Sequence, residues 1–190
     1  MNKTGFNLEL NSKILDLTAI GDVSGVDVEE MMKKLKESGD VRKESLFNLL
    51  TDIRVEQCTE RSSILLKCEY EVNFNFYEIR FAIIDEEGNE NHDVVRVDRM
   101  KKGRITRASS GDISSTMVFD ESNSLSVCEF DVSGMKITLG VCTRTAQAEL
   151  DENGGHIELE YTLSQNGMYL QLCSMQMDVK PCSKEEIFGE

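Results

Sequence analysis

From about residue 52 onward, apolar side chains recur at every second position in one segment after another. Ile64, Leu66, Cys68, Tyr70 and Val72 make one stripe, and Tyr77, Ile79, Phe81 and Ile83 make the next. The pattern continues through Val95 and Val97, Met117 and Phe119, Ile137 to Thr143, and Ile157 to Leu163. A last stripe, Tyr169, Gln171, Cys173, Met175, Met177 and Val179, ends at Pro181, the sole proline of the chain. A period of two places alternate side chains on opposite faces of a strand, so each segment predicts a half-buried β-strand. Proline suits a strand's exit because it has no N–H for the ladder. Turn chemistry fills the gaps, at 85–89, Ser133-Gly134, 151–155 and Asn166-Gly167. Asn-Gly between alternating segments predicts a tight hairpin, because a type I′ turn needs positive φ at both central residues. About eight to ten short strands joined by hairpins give a mainly β, antiparallel fold, a barrel or a sandwich rather than a parallel sheet.

The first fifty residues read differently. Asp27 and Glu30 have the spacing of a capping box, Val28, Met31, Met32 and Leu35 share one helical face, and Gly39 supplies a stop. An amphipathic helix is therefore expected there, with a weaker helix or turn over Lys43 to Leu50. Phe6, Leu8 and Leu10 alternate as a short strand would. These patterns divide the chain into an N-terminal extension over 1–50 whose helix packs on the barrel, a β domain over 51–182, and a tail over 183–190.

Composition narrows the class. The chain has 190 residues, 39% of them hydrophobic, which is enough for a sizeable core, and a net charge of −14. That charge repels phosphate backbones and anionic lipid, so nucleic acid and membrane surfaces are not expected partners. No apolar run approaches the ~18 residues of a membrane span, and no leader-like apolar stretch follows the first lysine. Six scattered cysteines, without a C-x-x-C pair or a neighbouring histidine pair, read as reduced thiols rather than as a disulfide framework or a zinc site. A cytoplasmic location without metal or cofactor is the expectation.

Three stretches in order carry a family resemblance. They are Asp112-Ile-Ser-Ser-Thr-Met-Val-Phe-Asp120, then Ile137-Thr-Leu-Gly-Val141 with Thr143, then the run from Leu150 through Gly154-Gly155-His156 to Leu163. Together they resemble the YwiB-type family of uncharacterised bacterial proteins with a calycin-like β-barrel. The likeness is clearest over about 112–180, extends to about 62–111, and is absent from the first fifty residues. Where the family pattern has a Tyr-x-Glu-like segment and an Arg-x-Gly, this chain reads Phe81-Ala-Ile-Ile-Asp85 and Arg107-Ala-Ser-Ser-Gly111. The resemblance implies a closed, lipocalin-like antiparallel barrel of about eight strands and a cytoplasmic location. It implies no activity. Barrels of this size either fill with side chains or keep room for one small ligand.

Candidate chemistry is sparse. His92 and His156 sit beside turns, and the acidic pairs fall in turns where solvent keeps carboxylates ordinary. The 151–155 turn lacks the spaced ligands of a calcium loop. No nucleophile–base pair or metal set stands out, which weighs against an enzyme, and no catalytic residue is assigned. Arg96, Arg99, Lys101, Lys102 and Arg104, with Arg107, form one basic cluster able to take an anion or an acidic partner, although basic residues on exposed strands also protect sheet edges. If Ile105 points inward so does Arg107, and the alternation puts Thr143 and Tyr161 among apolar neighbours. These three are candidate barrel-lining ligand contacts, the alternative being that they satisfy one another or buried backbone. The leading expectation is non-enzymatic binding of a small apolar or amphipathic ligand in the barrel. The alternative is a protein–protein interaction module working through the N-terminal extension or the Arg96 to Arg107 stretch, with a homodimer as one form of it.

Overall fold

The computed structural model describes residues 5–19, 58–85, 88–123 and 125–182. Ten strands are found among them: β1 (Phe6–Asp16), β2 (Thr59–Val72), β3 (Phe76–Ile84), β4 (Glu90–Asp98), β5 (Arg104–Ser110), β6 (Ile113–Asp120), β7 (Leu125–Val132), β8 (Met135–Asp151), β9 (Gly154–Gln165) and β10 (Met168–Pro181). They close into one barrel in the order β1-β10-β9-β8-β7-β6-β5-β4-β3-β2, each pair antiparallel. The expected amphipathic helix at Asp27 to Gly39, the Lys43 to Leu50 segment and the 183–190 tail lie outside the described residues.

Two features differ from the sequence reading. The barrel has ten staves, within the eight to ten that the alternation predicts but more than the eight or so that the resemblance implies. One of them, β1, comes from the first fifty residues and pairs along its length with both β10 and β2, so the N-terminal extension contributes the stave that closes the wall. The short stripe Phe6, Leu8 and Leu10 marked its first half. Its second half, Asn11 to Lys13, is polar and gave no apolar alternation to read.

Tight turns hold the staves in register. Asn166-Gly167 has φ of 51° and 85°, and Ser133-Gly134 has 54° and 86°, the two-residue hairpin geometry that their sequences predict. Gly154 and Gly155 start β9 where backbone passes close by. A Cβ on them would lie 2.2 Å from the Val179 carbonyl oxygen and 2.0 Å from that of Glu149, so only glycine fits.

The inward positions form one core. Leu8, Ile79, Val95, Ile105, Phe119, Ile157, Leu159, Met177 and Val179 are buried within it. Outward positions on one arc, Leu15, Leu172, Thr162 and Glu160, are buried as well, and Glu160 pairs with Arg144 at 3.0 Å. Arg144 is the extra residue of a β-bulge between Thr143 and Thr145. The bulge shifts the inward set of β8 from Val141 and Thr143 to Ala146, Ala148 and Leu150.

Two pairs of neighbouring staves part company along the wall. β2 pairs with β3 only from Cys68 opposite Phe81 to Val72 opposite Tyr77; its earlier residues pair with β1 alone. β6 and β7 pair at only three positions, Ile113 to Ser115, although a short connection joins them. The wall therefore has two wedge-shaped clefts.

Candidate functional site

Arg107 points into the barrel from the middle of β5. Register sets its surroundings: Arg107 lies opposite Val95 on β4 and Met117 on β6, and Asp93 on β4 lies opposite Ser109. Two residues apart on the inward faces of a hairpin, Asp93 and Arg107 meet across it. The guanidinium holds the carboxylate through two bonds, Nε to Oδ1 at 2.9 Å and Nη2 to Oδ2 at 3.2 Å, and the Ser109 hydroxyl also donates to Oδ1. Fork-on-fork geometry of this kind is the strong form of an ion pair.

Across the lumen stand Tyr161 and Cys173, opposite one another on β9 and β10, with Met175 beside them. The Tyr161 ring packs on Phe119 at 4.7 Å between centroids. Burial pushes the Tyr161 hydroxyl far above its ordinary range and the Cys173 thiol up to about 11, so both are neutral at neutral pH, and the two side chains are hydrogen-bonded to each other. Burial works against the charge on Arg107, but the hydrogen bonds and charge of Asp93 outweigh it and hold the guanidinium protonated.

The remaining Nη1 edge of Arg107 has a poor neighbour, the Met175 sulfur at 3.9 Å. The Arg107 side chain is 17% accessible against 4% for Asp93. A groove of about 460 Å³ lies at the apex of the β2–β3 cleft, with Cys68, Phe81 and Asp93 among its lining and Lys67, Arg80 and His92 around it. A second depression, about 660 Å³, lies at the end of the barrel that carries the 99–103 loop. Tyr77, Val97, Ile105, Ala146 and Leu150 give it an apolar floor, and Arg99 and Lys102 stand at it.

Of the residues singled out from sequence, Arg107 and Tyr161 come together in the lumen. Thr143 faces inward opposite Tyr161, but its hydroxyl accepts the Asp120 backbone N–H at 3.2 Å. That bond stitches the β6–β7 cleft, as does Ser126, whose hydroxyl donates to the Val118 carbonyl. The basic cluster is dispersed. Arg96 pairs with buried Glu78 on the outer face, which Arg80 also reaches, and Lys101 pairs with Asp120. Arg99 lies over the Tyr77 ring, and Lys102 stands at the end depression; Arg104 lines a separate shallow groove with Phe76 and Met100. Strand alternation turns Arg96 and Arg107 to opposite faces, which divides the stretch. In a closed barrel these side chains guard no sheet edge.

Asp93 is not among the residues singled out from the sequence. Its signal was the parity it shares with Val95 and Val97. Pairing Val97 with Ile105 in the β4–β5 hairpin places Asp93 beside Arg107.

Among the described residues, no group of three or more His, Cys, Asp or Glu is arranged to hold a metal ion, and no helix is long and apolar enough to cross a membrane. The crystal structure of the ywiB protein from Bacillus subtilis superposes with a TM-score of 0.63 at 16% identity, covering 95% of this chain and 93% of that one, a likeness of fold. No curated protein matches the sequence. The family described as domain of unknown function DUF1934 matches residues 48–177, most of the chain, with Asp93, Arg107, Tyr161 and Cys173 inside the match, and the chain belongs to that family.

Proposed function

We propose that this barrel binds a small amphipathic molecule in its lumen without transforming it. The observation that carries the reading is the Arg107–Asp93 pair inside a mostly apolar core, with only a weak acceptor, the Met175 thioether, at one guanidinium edge. A buried ion pair is a poor source of stability, since desolvating two charges offsets most of their attraction and an apolar pair of like volume serves as well or better. A polar group that stability does not require, aimed into a lumen beside the neutral, mutually bonded Tyr161 and Cys173, is the arrangement of a ligand pocket: mostly apolar walls with a few placed polar groups.

Native mass spectrometry of the protein purified from its own host tests this. A retained small molecule that is lost in Arg107→Met supports it. A clean apo mass, together with no thermal shift from a panel of amphipathic compounds, overturns it.

A second reading, an interaction module, has support from the outer face of β7, where Leu125 and Val127 are 64% and 73% exposed beside the β6–β7 cleft. Sedimentation over a concentration series decides it: a strictly monomeric protein that stays monomeric in Val127→Lys and wild type alike removes that reading.

A further inference from the structure

We infer that the lumen site selects an uncharged oxygen acceptor, a ketone, ester or amide carbonyl, over a carboxylate. The inference rests on the reading of the barrel as a small-molecule binder and specifies the head group it accepts.

Asp93 already neutralises Arg107 through both of its oxygens, so the pair as a whole presents no net charge to a ligand. What remains is hydrogen-bonding capacity without a compensating cation. The Nη1 edge donates, and its present neighbour is a thioether, a weak acceptor. Tyr161 and Cys173 are held neutral by burial and stand nearby, where the Arg107 charge acts on both of them. A second carboxylate at this place would bring two anions to one guanidinium inside a core, and the second would enter with its desolvation uncompensated. The net charge of −14 sets the long-range field against anions too. A carbonyl oxygen carries none of these costs and gives the Nη1 edge an acceptor.

The rest of the molecule to be bound is apolar, because the surroundings are. Phe119, Met117, Met175 and Phe81 are buried around the pair. The groove at the apex of the β2–β3 cleft is where the pair lies nearest the outside, with Asp93 in its lining.

The test uses three matched probes on the intact protein: 4-phenylbutan-2-one, its near-isostere 3-phenylpropanoate, and butylbenzene, which has no oxygen. Affinities come from calorimetry and ligand-observed NMR at neutral pH. The expected result is binding of the ketone at least tenfold tighter than the carboxylate and severalfold tighter than butylbenzene. Arg107→Met is expected to bring the ketone down to the level of butylbenzene. Asp93→Asn, which leaves the guanidinium its full charge, is expected to reverse the order and favour the carboxylate. A carboxylate that binds wild type as tightly as the ketone, or tighter, overturns the inference. Butylbenzene binding as well as the ketone overturns it too, while leaving the ligand-binding reading in place; failure of all three probes counts against both. The wild-type ranking needs no variant, so the outcome stands even if a substitution prevents folding.

Discussion

The inward stripe of the same strands changes character along the barrel. Around Ile79, Val95, Ile105, Phe119, Ile157 and Leu159 the lumen is apolar and closed to solvent. A few positions on, the inward residues become Asp93, Arg107, Ser109, Ser115, Tyr161 and Cys173, and further along β1 and β2 they become Ser12 and Ser62, whose hydroxyls bond each other at 2.7 Å. The first region has the composition that packing requires. In the second, polar side chains take inward positions, several of them held by a specific partner, and there the β2–β3 wall divides. The lesson is that alternation fixes which residues look inward, whereas the chemistry of those residues shows where the interior serves something besides cohesion.

Substitutions can break this contrast, and the largest effect belongs to the apolar region. Phe119→Ala removes a fully buried ring and leaves its cavity, for an expected loss of about 3–5 kcal/mol in denaturant unfolding, with little room for the neighbouring Tyr161 to compensate. In the polar region the effect depends on which partner is left behind. Arg107→Met strands the Asp93 carboxylate and is expected to cost about 3–5 kcal/mol, whereas the double variant Asp93→Leu/Arg107→Met is expected to lie within about 1 kcal/mol of wild type or above it. A double variant as unstable as the single one would show that the pair is structural cement, and the distinction between the two regions would fail.

The thiol gives a pH test of the same contrast. Burial raises the Cys173 thiol from its ordinary 9.0 to about 11. With a folded value above the unfolded one, the unfolded chain loses its proton first as pH rises. Stability is therefore whole below pH ~9 and falls between there and ~11, by at most about 3 kcal/mol at ~1.4 kcal/mol per unit. Melting curves at pH 8 and 10.5 are expected to show a smaller alkaline loss in Cys173→Ala than in wild type. Cys68, raised to about 12 by burial and by Cys182, keeps its own share of that loss in the variant.

The smallest effect sharpens the role of Thr143. Thr143→Val preserves shape and removes the acceptor for the Asp120 N–H, for an expected cost of about 1–2 kcal/mol with no change in ligand affinity. A loss of binding without loss of stability would return Thr143 to the ligand contacts proposed from its sequence position.

Much of this was legible beforehand. The stripes from Ile64 to Val179 gave seven of the ten strands or their parts and left β5 and β7 without one, the glycine turns gave the hairpins, and the parity of Ile105 pointed Arg107 inward. The bulge at Arg144 was not legible, because one extra residue leaves the local alternation of Ile137 to Thr143 intact and changes only the facing of the β8 residues beyond it. Nor were the clefts, since a strand's own sequence does not record where its neighbour stops pairing.

By itself, then, the sequence determined periodicity, turn positions and the inward or outward sense of most side chains, all of which are local consequences of strand geometry and of φ at glycine and asparagine. Tertiary structure alone decided that β1 closes the wall between β10 and β2, that Arg96 and Arg107 serve opposite faces with different acidic partners, and that Asp93, Arg107, Tyr161, Cys173 and Met175 meet in one lumen. Those contacts join residues up to 68 positions apart, from Arg107 to Met175, and no short-range rule reaches that far. They are fixed by which staves become neighbours and by the stagger that closure imposes on every register in the wall.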